Sequence, residues 1–173
     1  RVKHFAVVDQ DHDLNSILAR ARAFKRKNGL RALGIDYLQI LLDVSDGKAA
    51  ERTFSIGRIT SALKRFATAE NCAVFLLSGF NREYVKAGNR EPKLSDLEGS
   101  GSIEKDASRV LLLDVPTEYM LGGVKYSQST TADPADQPRL FVKVNQAKGR
   151  NQGTSSVGMY FKREIKTFQL IQR

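Results

Sequence analysis

The chain is 173 residues long, 41% hydrophobic and 27% charged, with a formal net charge of +9. That length suits one domain and buries roughly 70% of the surface an unfolded chain exposes, so a real core is expected. A single cysteine (Cys72) excludes an internal disulfide, two histidines (His4 and His12) make no zinc-ligand cluster, and no apolar run approaches the ~20 residues of a membrane helix.

These features favour a cytoplasmic protein without a membrane partner, and no signal peptide is visible. The first residue is Arg1 rather than Met, so the chain is expected to be part of a longer protein. Charge is unevenly placed. Residues 1–31 hold eight Lys/Arg against three Asp, residues 32–138 hold twelve against fifteen acids, and residues 139–173 hold eight against one. A basic end on a slightly acidic middle suggests a polyanion bound at one place, with a solvated basic face as the plainer alternative.

In chain order, His4-Phe5-Ala6-Val7-Val8 reads as a short strand. Asp13 is a natural N-cap, because its carboxylate accepts from free N–H groups of a first helical turn. Leu14, Ile17, Leu18, Ala21 and Phe24 then recur at helical spacing, and Lys25 to Lys27 followed by Asn28-Gly29 supply the stop.

The next stretch, Leu33 to Leu41, is apolar with one carboxylate, Asp36, where a buried strand should run out. A strand covered on both faces reads as continuously apolar, and an unpaired buried carboxylate costs several kcal/mol. Asp36 is therefore better placed facing a cleft, water or a metal. In nucleotide-hydrolysing α/β proteins such an Asp holds the Mg²⁺ that bridges the phosphates. The ordinary alternative is a carboxylate capping the following turn.

After a flexible stretch around residues 43–47, a second helix is predicted from about Ala50 to Asn71, with Ile56, Ile59, Leu63 and Phe66 on one face. Cys72 to Ser78 reads as a third buried strand, with Cys72 as core packing. Residues 79–101 form a long polar loop, of a length usually functional or mobile. Arg82, Lys86, Arg90 and Lys93 there balance Glu83, Glu91, Asp96 and Glu98. A helical turn over Ser102–Asp106 leads to a strand at Val110–Leu113, and residues 115–138 read as a poorly ordered surface excursion. The end is strands without helices, at Leu140–Val144, Val157–Phe161 and Phe168–Ile171, with a Lys/Arg/Gly hairpin tip over residues 146–156. Strand-helix alternation followed by strands means an α/β domain with a parallel core and an antiparallel edge.

With these elements laid out, the chain resembles the C-terminal motor domain of the DnaB-like replicative DNA helicases, a family of RecA-fold ATPases. Ile35-Asp36-Tyr37-Leu38-Gln39 is similar to the family's Walker B strand, and Ile56 to Asn71 to the helix after it. Ser78-Gly79-Phe80-Asn81-Arg82 resembles the next motif. Ser95 to Ala107, with Glu98, Gly99 and Gly101, resembles the family's DNA-facing loop. Lys148-Gly149-Arg150-Asn151 resembles the Lys-x-Arg-Asn element that reaches a neighbouring subunit's nucleotide.

The resemblance implies a truncated RecA-like three-layer domain over residues 1–173, mostly parallel with an antiparallel C-terminal edge. It implies ATP and Mg²⁺ as cofactors, the metal held by Asp36 through water. Asp36, Gln39, Lys148 and Arg150 would touch the nucleotide, with Asp36, Lys148 and Arg150 catalytic. Arg82, Arg90, Glu98, Gly99 and Gly101 would face single-stranded DNA. The implied assembly is a homo-hexameric ring that unwinds duplex DNA, with primase and a helicase loader as further partners. The alternative is a non-catalytic DNA-binding or ring-assembly module of the same fold. The chain departs from the family in three respects. It has no Gly-x-x-x-x-Gly-Lys-Ser/Thr phosphate loop. Gly79 replaces a Gln, and Glu98-Gly99 replaces Arg-Glu.

Overall fold

A computed structural model describes residues 4–9, 13–42, 49–88, 90–128, 139–149 and 153–171. The chain divides into two compact units, residues 1–80 with 97–107, and residues 81–96 with 108–173.

The first unit is α/β. Helix α1 (Leu14–Asn28) starts at Asp13, whose carboxylate accepts the Ser16 N–H at 2.8 Å, and stops at Gly29 with φ 75°. Strand β1 (Ala32–Ile35) pairs in parallel with β2 (Ala73–Leu76), Ala32 opposite Ala73 through Ile35 opposite Leu76. The connection between them carries a 3-10 turn (Leu38–Leu41) and helix α2 (Ala49–Ala69). Parallel strands need such a crossover. Ile56, Ile59, Leu63 and Phe66 are buried along one stripe of α2, as their spacing predicts, with Leu18 and Ala21 of α1 buried as well. Glu70, just past α2, accepts from Arg22 at 3.0 Å and Lys25 at 3.1 Å, and Arg22 lies over the Phe66 ring. Helix α4 (Ser100–Asp106) completes this unit.

The second unit holds helix α3 (Arg82–Ala87), a 3-10 turn (Leu94–Asp96) and a four-stranded antiparallel sheet. Its strands are β3 (Arg109–Asp114), β6 (Arg139–Gly149), β7 (Ser155–Lys162) and β8 (Thr167–Leu170), in the order β3-β6-β7-β8. A separate hairpin joins β4 (Glu118–Leu121) to β5 (Val124–Ser127). The Tyr119 ring stacks on Phe141 at 4.1 Å. The buried Gln128 amide donates to the Phe141 carbonyl at 2.9 Å and accepts the Phe141 N–H at 2.8 Å. These contacts fix the hairpin to β6.

The structure corrects several expectations. His4–Val8 is not a strand; Phe5 is 82% exposed, and none of the described residues pairs with this segment. Residues 118–127 are an ordered hairpin rather than a poorly ordered excursion, while residues 129–138 lie outside the described residues. The loop 79–101 contains α3. Parallel pairing is limited, among the described residues, to β1 and β2, and the antiparallel part is the larger. No helix among them is long and apolar enough to cross a membrane.

Candidate functional site

In the first unit the candidate residues lie just beyond the ends of β1 and β2. Asp36 is the first residue beyond β1 and is exposed, but the strands are not the buried ones expected: only Ile35 of β1 is buried, and Phe75 of β2 is 62% exposed. The backbone around it is held by β2: the Leu77 N–H donates to the Ile35 carbonyl at 3.0 Å and the Leu38 N–H to the Leu77 carbonyl at 2.8 Å. Leu38 is fully buried, so the turn after Asp36 is anchored. Among the described residues no three His, Cys, Asp or Glu come together as a metal cluster. A lone carboxylate still suits Mg²⁺, which keeps most of its waters and binds one or two protein carboxylates beside substrate phosphates.

Gln39, three residues on, joins three segments. Its Oε1 accepts the Gly79 N–H at 3.3 Å, and its Nε2 donates to Ser78 Oγ and to Glu98 Oε2, each at 3.3 Å. The space beside Gly79 is thus occupied: a Cβ there would lie 3.8 Å from Gln39 Nε2. Glu98 is held from the other side by Arg52 of α2, whose Nε and Nη2 both reach Oε1, at 2.9 and 2.8 Å.

The segment after Glu98 is pressed onto α2. Gly99 adopts φ 71°, and a Cβ there would sit 2.7 Å from Ile56 Cδ1 and Cγ2. A Cβ on Gly57 would also meet a close neighbour, Ser102 Oγ at 3.0 Å. At the far end Asp106 accepts from Thr60 Oγ1 at 2.6 Å and Ser61 Oγ at 3.0 Å. Gly99 therefore serves close packing, whatever else it does, and Gly101 has open space around it.

In the second unit, Asn81 caps α3 by accepting the Tyr84 N–H at 2.9 Å, which leaves Arg82 exposed on the first turn. Arg90 grips Asp96 with two nitrogens on two oxygens, at 2.7 and 2.6 Å, and lies over the Tyr84 ring. The Arg90 guanidinium, helped by the Lys93 N–H, holds the Asp96 carboxyl down at about 2 despite its burial. Lys143 pairs with Glu91 at 2.9 Å. Burial pushes Asp114 up, with the Glu91 charge adding to it. Lys148 lies in β6 opposite Val110, two residues beyond the last β6–β7 pair, Gln146 with Ser155; Arg150 lies outside the described residues. In the first unit burial pushes the Cys72 thiol up, which fits a packing role.

Sequence reasoning passes over Arg52, Thr60, Ser61 and Asp106. The signal is nonetheless present: Arg52, Ile56 and Thr60 recur every four residues on the face of α2 that meets α4.

The sequence model of the DnaB-like helicase C terminal domain family matches residues 2–170. The replicative DNA helicase DnaB of Rickettsia prowazekii (strain Madrid E) is 31% identical over 166 residues, covering 92% of this chain and 33% of its own length. The probable plasmid replicative DNA helicase of Chlamydia psittaci is 38% identical over 111 residues, 64% of this chain and 24% of its own. Among solved structures, an ATPase domain superposes with TM-score 0.70 at 29% identity, over 92% of this chain and 52% of that one. A DnaB-like replicative helicase, solved for its interactions with primase, gives 0.69 at 30% identity, over 92% and 35%. The chain thus spans about a third of the length of the curated DnaB relatives it matches.

Proposed function

The chain belongs to the DnaB-like helicase C-terminal domain family, and on that premise we propose that it is part of an ATP-dependent replicative DNA helicase. The full-length protein moves along single-stranded DNA as a homo-hexameric ring in the cytoplasm and unwinds duplex ahead of it. The observation that carries this reading is the placement of Asp36, exposed at the end of β1, with Gln39 of the following turn linked to Glu98 of the segment 97–107. A nucleotide side and a DNA side are thereby joined by one amide.

Asp36 would hold Mg²⁺ through water, and the ion would supply positive charge against the ATP phosphates. Gln39 fixes the geometry beside it. Lys148 and Arg150 reach the γ-phosphate on a neighbouring subunit, where an arginine fork stabilises charge on the transferring group. Arg82 meets the DNA backbone, Glu98, Gly99 and Gly101 shape the strand's path, and Arg90 acts chiefly by locking its own loop to Asp96. The phosphate loop comes from chain beyond these residues, and further strands there extend the parallel pair β1–β2 into the sheet of a three-layer RecA-like domain. A primase and a helicase loader are the expected protein partners.

Single-strand-stimulated ATP hydrolysis by the full-length protein tests the reading. Asp36→Asn should abolish turnover while leaving the melting temperature nearly unchanged, because the side chain is exposed. DNA binding with no turnover in the wild type would instead identify a non-catalytic DNA-binding module.

A further inference from the structure

Two arginines are paired with acids that stand two positions apart in the sequence, Arg90 with Asp96 and Arg52 with Glu98. Both arginine side chains are 40% exposed, but their partners differ. The Asp96 side chain is only 7% exposed and receives two nitrogens on two oxygens. That is the planar fork at full strength. Glu98 is 29% exposed, and Arg52 places Nε and Nη2 on the same oxygen, Oε1. Among the described residues the second oxygen, Oε2, has only the long bond from Gln39. Arg52 is thus held by half of its acceptor, in a setting water reaches. An exposed ion pair of this kind is weak and yields to a better acceptor.

A phosphodiester offers two oxygens on one phosphorus, which matches the arginine fork better than a single carboxylate oxygen does. We propose that Arg52 is a phosphate contact for single-stranded DNA and that Glu98 is its resting partner, displaced when the backbone binds. This rests on the DNA-facing reading of the segment 97–107. Release of Arg52 leaves Glu98 tied, among the described residues, to Gln39, so binding at the DNA side alters the one amide that also holds Ser78 and Gly79. Glu98 then acts as a gate on its own neighbouring cation rather than as a DNA contact.

The test is a salt titration of oligo(dT) binding to the full-length protein, for wild type, Arg52→Gln, Glu98→Gln and the double variant. Arg52→Gln should weaken binding several-fold and lower the salt slope by about 0.7, the value for one phosphate contact on a single strand. Arg52→Lys should keep the slope and lose part of the affinity, because charge survives without the fork. Glu98→Gln should tighten binding, and that gain should vanish in the Arg52→Gln background. An equal gain in both backgrounds would mean that Glu98 acts by plain repulsion, which overturns the displacement. An unchanged affinity and slope in Arg52→Gln, in a protein that binds oligo(dT), would overturn the Arg52 assignment and leave the DNA-facing reading standing. Failure of the wild type to bind oligo(dT) would overturn that reading itself.

Discussion

Gly99 shows how one residue type can be demanded twice. Its φ of 71° is a region L side chains adopt at a cost, and a Cβ would press into Ile56 at 2.7 Å. Ile56 is fully buried and cannot swing aside. Gly99→Ala should therefore destabilise by about 2–4 kcal/mol, combining left-handed strain and overpacking. Gly57 makes a useful contrast, since its close neighbour is the Ser102 hydroxyl, the mobile end of a small side chain. There the helix-propensity gain of alanine, up to about 1 kcal/mol, offsets a small shift. Urea unfolding of both variants checks the pair: a large loss for Gly99→Ala beside a near-neutral Gly57→Ala is expected. The exposed position of Asp36 after β1 is legible in the sequence because a carboxylate ending an apolar run has few places to go. Arg52 is not, because a charged residue near a helix start reads as solvated until its acceptor, 46 residues away, is in view.

Among the elements, local rules decide the helices and long-range contacts decide the rest. The Asp13 cap and the Gly29 stop bound α1 as expected, and the apolar stripe of α2 lies buried where its period puts it. Hairpin β4–β5 escapes the sequence reading although Gly122-Gly123 is a sound two-residue turn signal. Its strands are four residues each and gain their support from Phe141 and from Gln128. The opposite error falls on His4–Val8, whose apolar run pairs with no strand among the described residues. The turn at residues 90–96 is an element built on one carboxylate. Asp96 folds with a pKa of about 2 against 3.8 for the free group. Its contribution to stability is full above the higher value and is lost as the pH falls through the lower one. Asp96→Asn should therefore lower the urea midpoint near neutral pH, and the gap to wild type should close between about pH 4 and pH 2. A gap that stays constant over that range would mean that the charge of Asp96 contributes nothing.

For the molecule as a whole, the residues assigned to ATP are divided between two units of the chain, Asp36 and Gln39 in one, Lys148 in the other, with Arg150 beyond the described residues. The fold class is legible because alternating strands and helices followed by strands admit few architectures. The proportion of parallel to antiparallel sheet is not, because only β1 and β2 pair in parallel among the described residues. In the proposed mechanism each nucleotide lies between two copies, Asp36 of one holding the metal and Arg150 of the next stabilising the transferring phosphoryl. ATP hydrolysis by mixed rings of the full-length protein, prepared from Asp36→Asn and Arg150→Ala subunits, decides whether this is so. Each variant alone should be inactive. Mixing should restore part of the DNA-stimulated turnover, because some interfaces then join an intact Asp36 to an intact Arg150. Mixed rings that assemble but recover no activity, or an Arg150→Ala ring that hydrolyses ATP at the wild-type rate, would contradict the shared site.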